Sequence, residues 1–152
     1  MQLHWHRRDL RGSDNRALAA AAEAAETNGG VISLFVFDEG VLEHAGPPRV
    51  AYLLAALAEL REWYRERGGE LLVRRGNPEQ VVVDVAQQLN ADQVVWNRDY
   101  SGLARERDSA VRQALNAVDI SRESFHDAIC HEPGSITTNN GDPYSVFTYF
   151  GR

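Results

Sequence analysis

His4-Trp5-His6-Arg7-Arg8-Asp9-Leu10-Arg11-Gly12-Ser13-Asp14-Asn15 is the stretch on which the fold turns. Gln2 to His6 reads as a short first strand. Three arginines and two aspartates then crowd into the eight residues from Arg7 to Asp14. Ser13, Asp14 and Asn15 are all helix N-cap types, and an alanine-rich helix follows from Arg16 to Glu26. Strand, turn and helix N-terminus together open a βαβ unit, with free backbone N–H groups at the carboxyl edge of the sheet to come. So much charge at that edge is either a salt-bridged corner or one wall of a ligand site, and the residue types leave both open. His4 and His6 are expected to point to opposite faces of the sheet, which makes at least one of them a packed residue rather than a ligand.

Working outward, Asn28-Gly29-Gly30 closes the first helix. Val31 to Phe37 is a near-continuous apolar run, the pattern of a central parallel strand buried on both faces. Its loop runs from Asp38 through His44 to Pro47-Pro48. A second helix from Pro48 or Arg49 carries Val50, Leu53, Leu54, Leu57, Leu60 and Tyr64 as one apolar face, and Gly68-Gly69 ends it. Leu71 to Val73 is the third strand, extending toward Arg75. Asn77-Pro78-Glu79 supplies an N-cap, a first-turn proline and an acid for a helix through Leu89. Gln93 to Trp96 is the fourth strand, Ala104 to Asn116 a fourth helix, and Asp119 to Ser124 a fifth strand. Strands alternating with helices imply a Rossmann-like three-layer α/β domain, residues 1–125, around a five-stranded parallel sheet. Two βαβ halves meeting at the first strand give the order 3-2-1-4-5 and a switch point between strands one and four. The loops at 7–14, 38–48 and 97–103 should therefore surround one crevice.

A length of 152 residues with 43% hydrophobic content suits one soluble domain with a real core. No apolar run approaches the ~20 residues of a membrane span, and no signal peptide precedes the first strand. The single cysteine, Cys130, excludes an internal disulfide, makes a reducing cytoplasm the natural compartment, and reads as a small, partly buried apolar residue. All 16 basic residues are arginine and the net charge is −6, with acids and arginines interspersed. A chain so balanced is not expected to hold DNA by its phosphates alone. Residues 126–152 depart from the α/β pattern and end in Tyr144, Phe147, Tyr149 and Phe150, a cluster that needs a partner surface, either the sheet or a second body.

Several common sites are absent. The first strand is not followed by Gly-x-Gly-x-x-Gly, there is no Walker loop, and neither the cysteine count nor the histidine spacing suits structural zinc. What remains is a crevice edged by Arg7, Asp38, His44, Arg49 and Asp99 with Phe35, Phe37 and Tyr100, suited to a planar heterocycle with a polar rim. Phe35 and Phe37 read equally as sheet core, and Asp99 equally as the cap of the fourth helix.

Trp5-His6-Arg7-Arg8-Asp9-Leu10-Arg11 with Ser13-Asp14-Asn15 resembles the opening signature of the DNA photolyase and cryptochrome family. The likeness continues through Phe37-Asp38, Pro48-Arg49-Val50-Ala51-Tyr52-Leu53, Trp96-Asn97-Arg98-Asp99-Tyr100 and Arg105-Glu106-Arg107-Asp108 to Gly141-Asp142-Pro143-Tyr144-Ser145-Val146-Phe147-Thr148. It spans nearly the whole chain in order. It implies an N-terminal antenna-binding α/β domain that abuts a helical domain holding FAD and damaged DNA, where light splits pyrimidine dimers. On that resemblance residues 126–152 lead to the helical domain, which lies outside this sequence. The chain alone is expected to be inactive in repair and to self-associate through its aromatic end. Folate-using members place an Asn-Glu pair where Leu103 and Ala104 stand, so methenyltetrahydrofolate is disfavoured, although His44 matches a histidine of such members. The loops resemble those of members that bind 8-hydroxy-5-deazaflavin. The resemblance then implies contacts from Asp38, Arg49 and Asp99, with Phe35 and His6 lining the pocket. The alternatives are a cryptochrome photoreceptor and a free-standing nucleotide-binding domain, the latter lacking its expected phosphate loop.

Overall fold

The computed structural model describes residues 1–144. Five strands, β1 (Gln2–His6), β2 (Val31–Phe37), β3 (Leu71–Arg75), β4 (Gln93–Asn97) and β5 (Ser121–Phe125), form one sheet. Every pairing is parallel and the order is β3-β2-β1-β4-β5, as the alternation of elements predicts. The helices are α1 (Arg16–Asn28), α2 (Glu39–Leu42), α3 (Pro47–Arg65), α4 (Pro78–Gln88) and α5 (Gly102–Ala117). Among the described residues no helix is long and apolar enough to cross a membrane.

Side-chain alternation along the strands sorts the core into two layers. Leu3, Trp5, Leu34, Val36, Val94 and Trp96 face α4 and α5, where they meet Val82, Val85, Val111 and Leu115. The opposite face carries Phe35, Leu71 and Val95 and is covered by α1 through Ala17 and Ala21 and by α3 through Leu57, Leu60 and Tyr64. The caps follow their residue chemistry. The Asn15 side chain accepts from Leu18 N, Asn77 from Glu79 N and Ser101 from Ala104 N, while Gly29 ends α1 with φ 88°, the left-handed conformation glycine tolerates. Gly12 serves a different need. A Cβ there would sit 2.4 Å from the Trp63 indole, so the corner after β1 can pack on α3 only without a side chain.

Four expectations are corrected. The loop after β2 contains α2, a single turn capped by Asp38 accepting from Gly40 N at 3.0 Å. Leu54 is exposed rather than part of the α3 face, because it stands one residue, about 100°, around the helix from Leu53. β5 begins at Ser121, since Asp119 takes a positive φ of 56° where α5 gives way. Cys130 is exposed, lying past β5 in a segment that forms no helix or strand through residue 144. That segment still touches the corner between β1 and α1, with Asp127 paired to Arg11 and accepting from Arg16 N at 3.1 Å. Tyr144 is exposed, and Phe147, Tyr149 and Phe150 lie outside the described residues.

Candidate functional site

The charged corner after β1 is in part internal architecture. Asp9 is buried and accepts from Arg7 N at 2.9 Å. Its other oxygen takes the Asn97 amide at 2.6 Å, and that amide also donates to Asn15 Oδ1 at 2.8 Å. Asn97 Oδ1 in turn accepts from Ala17 N at 3.0 Å, so the ends of β1 and β4 and the start of α1 are tied by one side chain. Burial alone would raise the Asp9 carboxyl. The nearby His6 and His4, the Arg7 N–H and the Asn97 amide hold it below the ordinary carboxylate range.

Beyond this knot lies a buried chain of charge. Arg7 pairs with Asp108, whose second oxygen accepts from Trp96 Nε1 at 3.2 Å. Both guanidinium groups of Arg7 and Arg107 lie over the Trp5 ring, at 5.0 and 5.5 Å from its centroid. Arg107 reaches Asp108 at 3.8 Å and Asp38 at 3.9 Å. Burial works against both charges of the Arg7–Asp108 pair, pushing the carboxyl up and the guanidinium down, and each partner opposes that for the other. Asp99 closes the far side. It sits 3.6 Å from Arg8 and accepts from Ser101 N at 3.2 Å. Burial would raise its carboxyl, but that N–H with Arg8, Arg7 and Arg107 holds it below the ordinary range. Asp99 therefore does not cap α5 directly. Ser101 does, and Asp99 fixes Ser101.

The single expected crevice is divided. One hollow of about 510 Å³ is lined by Arg7, Asp9, Asn97, Asp99 and Tyr100, and another of about 450 Å³ by Asp38, Leu103, Glu106 and Arg107. The Arg7–Asp108–Arg107 cluster joins them, because Arg7 lines the first and Arg107 the second. His44 is exposed on the β2–α3 connection, where its Nδ1 lies 3.0 Å from Gly40 O, and Arg49 is exposed in the first turn of α3. Phe35, 6% exposed, packs under α3 beside Phe37, with ring centroids 5.1 Å apart. It belongs to the core layer behind the hollows. Tyr100 bonds His126 Nδ1 through its hydroxyl at 2.5 Å.

His4 and His6 share a face, contrary to expectation. Residues two apart on a strand point the same way, and the two rings stand 4.2 Å apart between centroids. Both are fully buried among the α1 and α3 side chains. His6 therefore supports the corner from beneath, with Nδ1 3.0 Å from Asp9 O and Nε2 2.7 Å from Tyr64 Oη. Arg107 and Asp108 are the residues that loop-by-loop reading missed. One signal was available: Asp108 stands in the buried stripe Ala104, Asp108, Val111, Leu115 of α5, and an acid at such a position needs a partner.

Chemically, the arrangement offers buried guanidinium donors between two carboxylates. Arg7 Nε, Arg107 Nε and Arg107 Nη2 are buried without hydrogen-bond partners among the described residues. The guanidinium groups that line the two hollows, Arg7 in one and Arg107 in the other, suit the carbonyl or anionic oxygens of a ligand.

A family model described as DNA photolyase matches residues 2–152. The chain is 56% identical over 158 residues to the deoxyribodipyrimidine photo-lyase of Halobacterium salinarum, covering all of this chain and 33% of that protein. A class III photolyase structure from Agrobacterium tumefaciens superposes with a TM-score of 0.85 at 35% identity, over 98% of this chain and 30% of that one. An archaeal photolyase from Sulfolobus tokodaii, described with two FAD molecules and a novel light-harvesting cofactor, gives a TM-score of 0.79 at 25% identity over 90% of this chain and 32% of its own. The chain thus spans about a third of the length of these photolyases, and it shares their fold along nearly all of its own. With the signature corner, the parallel sheet and the family match agreeing, this chain belongs to the DNA photolyase family.

Proposed function

We propose that this chain is the antenna-binding α/β part of a deoxyribodipyrimidine photolyase. In that role it gathers light for an FAD held by a helical domain of the parent protein, and damaged DNA is met through that domain. The observation that carries the reading is the pair of hollows at the carboxyl edge, one lined by Arg7 and Asp99 and the other by Arg107 and Asp38, with the Arg7–Asp108–Arg107 cluster between them. Those donors and acids match a chromophore that presents carbonyl oxygens along one edge and ring N–H or hydroxyl groups along another.

The chromophore we favour is 8-hydroxy-5-deazaflavin, ahead of methenyltetrahydrofolate. Asp38, Asp99, Arg7 and Arg107 would orient it. His44 from the β2–α3 connection and Arg49 from the first turn of α3 would close over it, and Phe35 and His6 would support the floor from behind. A bound antenna supplies only absorption and energy transfer; the residues here bind it, hold it rigid and shield it from water. The chain as a whole has a net charge of −6 with acids and arginines interspersed, in keeping with a small-molecule partner rather than direct DNA contact. We place the parent protein in the cytoplasm.

The test is to mix the chain with 8-hydroxy-5-deazaflavin, and separately with methenyltetrahydrofolate, and to pass each mixture through gel filtration. Deazaflavin absorbance should travel with the protein and raise its melting temperature. Asp99→Ala should weaken binding by about 1.5–3 kcal/mol, the value of one charge-assisted hydrogen bond. Co-elution of neither pigment, or undiminished binding by Asp99→Ala, would overturn the assignment.

A further inference from the structure

A polar row crosses the sheet face that α1 and α3 cover. Gln2, His4 and His6 alternate along β1 with the apolar Leu3 and Trp5, and both histidines are 0% exposed. His6 is fully engaged, with Nδ1 on the Asp9 carbonyl and Nε2 on Tyr64 Oη, which also takes the Ser33 hydroxyl at 2.7 Å. That relay can run in either sense. Tyr64 can donate to Nε2 while Nδ1–H donates to Asp9 O. Alternatively, Nε2–H can donate to Tyr64 Oη and Tyr64 to Ser33 Oγ, a tautomer that gives up the Nδ1–H bond to the Asp9 carbonyl and leaves the Nδ1 lone pair for an ion. His4 is different. Among the described residues neither of its ring nitrogens has a hydrogen-bond partner, whereas roughly nine in ten buried polar groups do. One nitrogen of His4, one of His6 and a carboxylate oxygen of Asp9 lie within 4.8 Å of one another.

We propose that His4, His6 and Asp9 form a binding site for a late first-row divalent transition ion, with zinc as the reference case. Two imidazoles and one carboxylate suit zinc, cobalt or nickel, whereas calcium and magnesium require oxygen ligands throughout. Burial holds both histidines below their ordinary pKa, so at neutral pH they are lone-pair donors rather than cations, and Asp9 stays ionised. The outer supports of a metal site are already built. Arg7 N and the Asn97 amide fix Asp9, and Tyr64 with Ser33 can fix the His6 tautomer. The neighbouring cations are neutralised, Arg7 on Asp108 and Arg11 on Asp127. Closing on a tetrahedral ion with bonds of about 2.1 Å brings ligand atoms about 3.4 Å apart, and His4, held by no hydrogen bond, can supply the movement. Asp9 also lines the hollow shared by Arg7 and Asp99, so the carboxylate end of the cluster borders open space. The site staples the end of β1 and is independent of any chromophore.

The 152-residue chain, stripped with chelator, is dialysed against zinc and its metal content is measured. One zinc per chain should be retained. His4→Phe and His6→Phe should each weaken retention by about tenfold or more, the usual cost of disturbing a metal's immediate surroundings. Cys130→Ser combined with His131→Ala should retain zinc fully, which separates this site from surface ligands. Failure of the unaltered chain to retain zinc, equal retention by His4→Phe, or loss in the Cys130/His131 variant would each overturn the proposal. Should the phenylalanine variants fail to fold, X-ray absorption at the zinc edge of the unaltered chain decides: two imidazole ligands support the site, and fewer refute it.

Discussion

Acidification is the sharpest probe of the buried histidines. Burial lowers the pKa of His6 and lowers that of His4 further, with His6 beside it adding to the effect on His4 and the Asp9 carboxylate opposing it on both. In the unfolded chain each imidazole titrates near 6.5. A folded pKa below the unfolded one means that the unfolded state binds more protons in acid. Stability is therefore fully present above about pH 6.5 and is lost as pH falls below it. Taking both rings as neutral in the native state, a drop from about pH 7.5 to about pH 5.5 favours the unfolded chain roughly tenfold per histidine. That sets a ceiling of about 1.4 kcal/mol for each ring that stays neutral down to the lower pH, and about 2.8 kcal/mol for both. Against a typical domain stability of about 5–15 kcal/mol, this is a large fraction. The groups facing the two rings are Asp9, Arg7, Arg11, Tyr64 and Ser33. Of these, Tyr64 is raised to about 12 by burial and Asp9 is held below its ordinary range, so neither titrates in the window.

The assay is urea unfolding at the two pH values in the presence of a chelator, followed by far-UV circular dichroism. The unaltered chain should lose stability on acidification, by up to about 2.8 kcal/mol through the two rings, and His4→Phe should lose measurably less. A pH dependence identical in the two proteins, or a stability that rises on acidification, would show that His4 is not held neutral in the fold and would refute the reasoning.

Gly12→Ala should cost about 1–3 kcal/mol, because its methyl group would overlap the Trp63 indole 2.4 Å away. Placing the same change in a Trp63→Leu background should recover most of the loss, and thermal melts read both. Asp108→Ala should destabilise the chain by about 3–5 kcal/mol, since it strands the buried Arg7 guanidinium. The double variant Arg7→Met, Asp108→Leu should lose much less in urea titrations, and equal losses would argue that the pair acts through packing alone.

The parallel sheet and its strand order were legible because they rest on local signals that agree with one another. Alternating elements, an uninterrupted apolar β2, Asn77-Pro78-Glu79 before α4 and Gly29 after α1 each reduce the number of topologies left. The site was legible only at its rim. Arg7 and Asp99 belong to loops that the sheet order itself brings together, so their meeting followed from topology. The division of the crevice did not, because it depends on Arg107 and Asp108 reaching in from the middle of α5, and loop spacing carries no trace of a helix side chain's reach. The period of the strand, read correctly, already puts His4 and His6 on one face, and a fully covered face in turn demands partners for both rings. His6 finds its partners in Asp9 and Tyr64, while His4 finds none among the described residues. A fold that buries an imidazole without a hydrogen bond forgoes stability at that position, and the loss is offset only if something else binds there. The same unpartnered ring therefore links the acid sensitivity of the apo chain to its proposed affinity for zinc. Bound metal should hold both imidazoles deprotonated and shift the onset of acid unfolding to lower pH, and an onset unmoved by saturating zinc would sever that link.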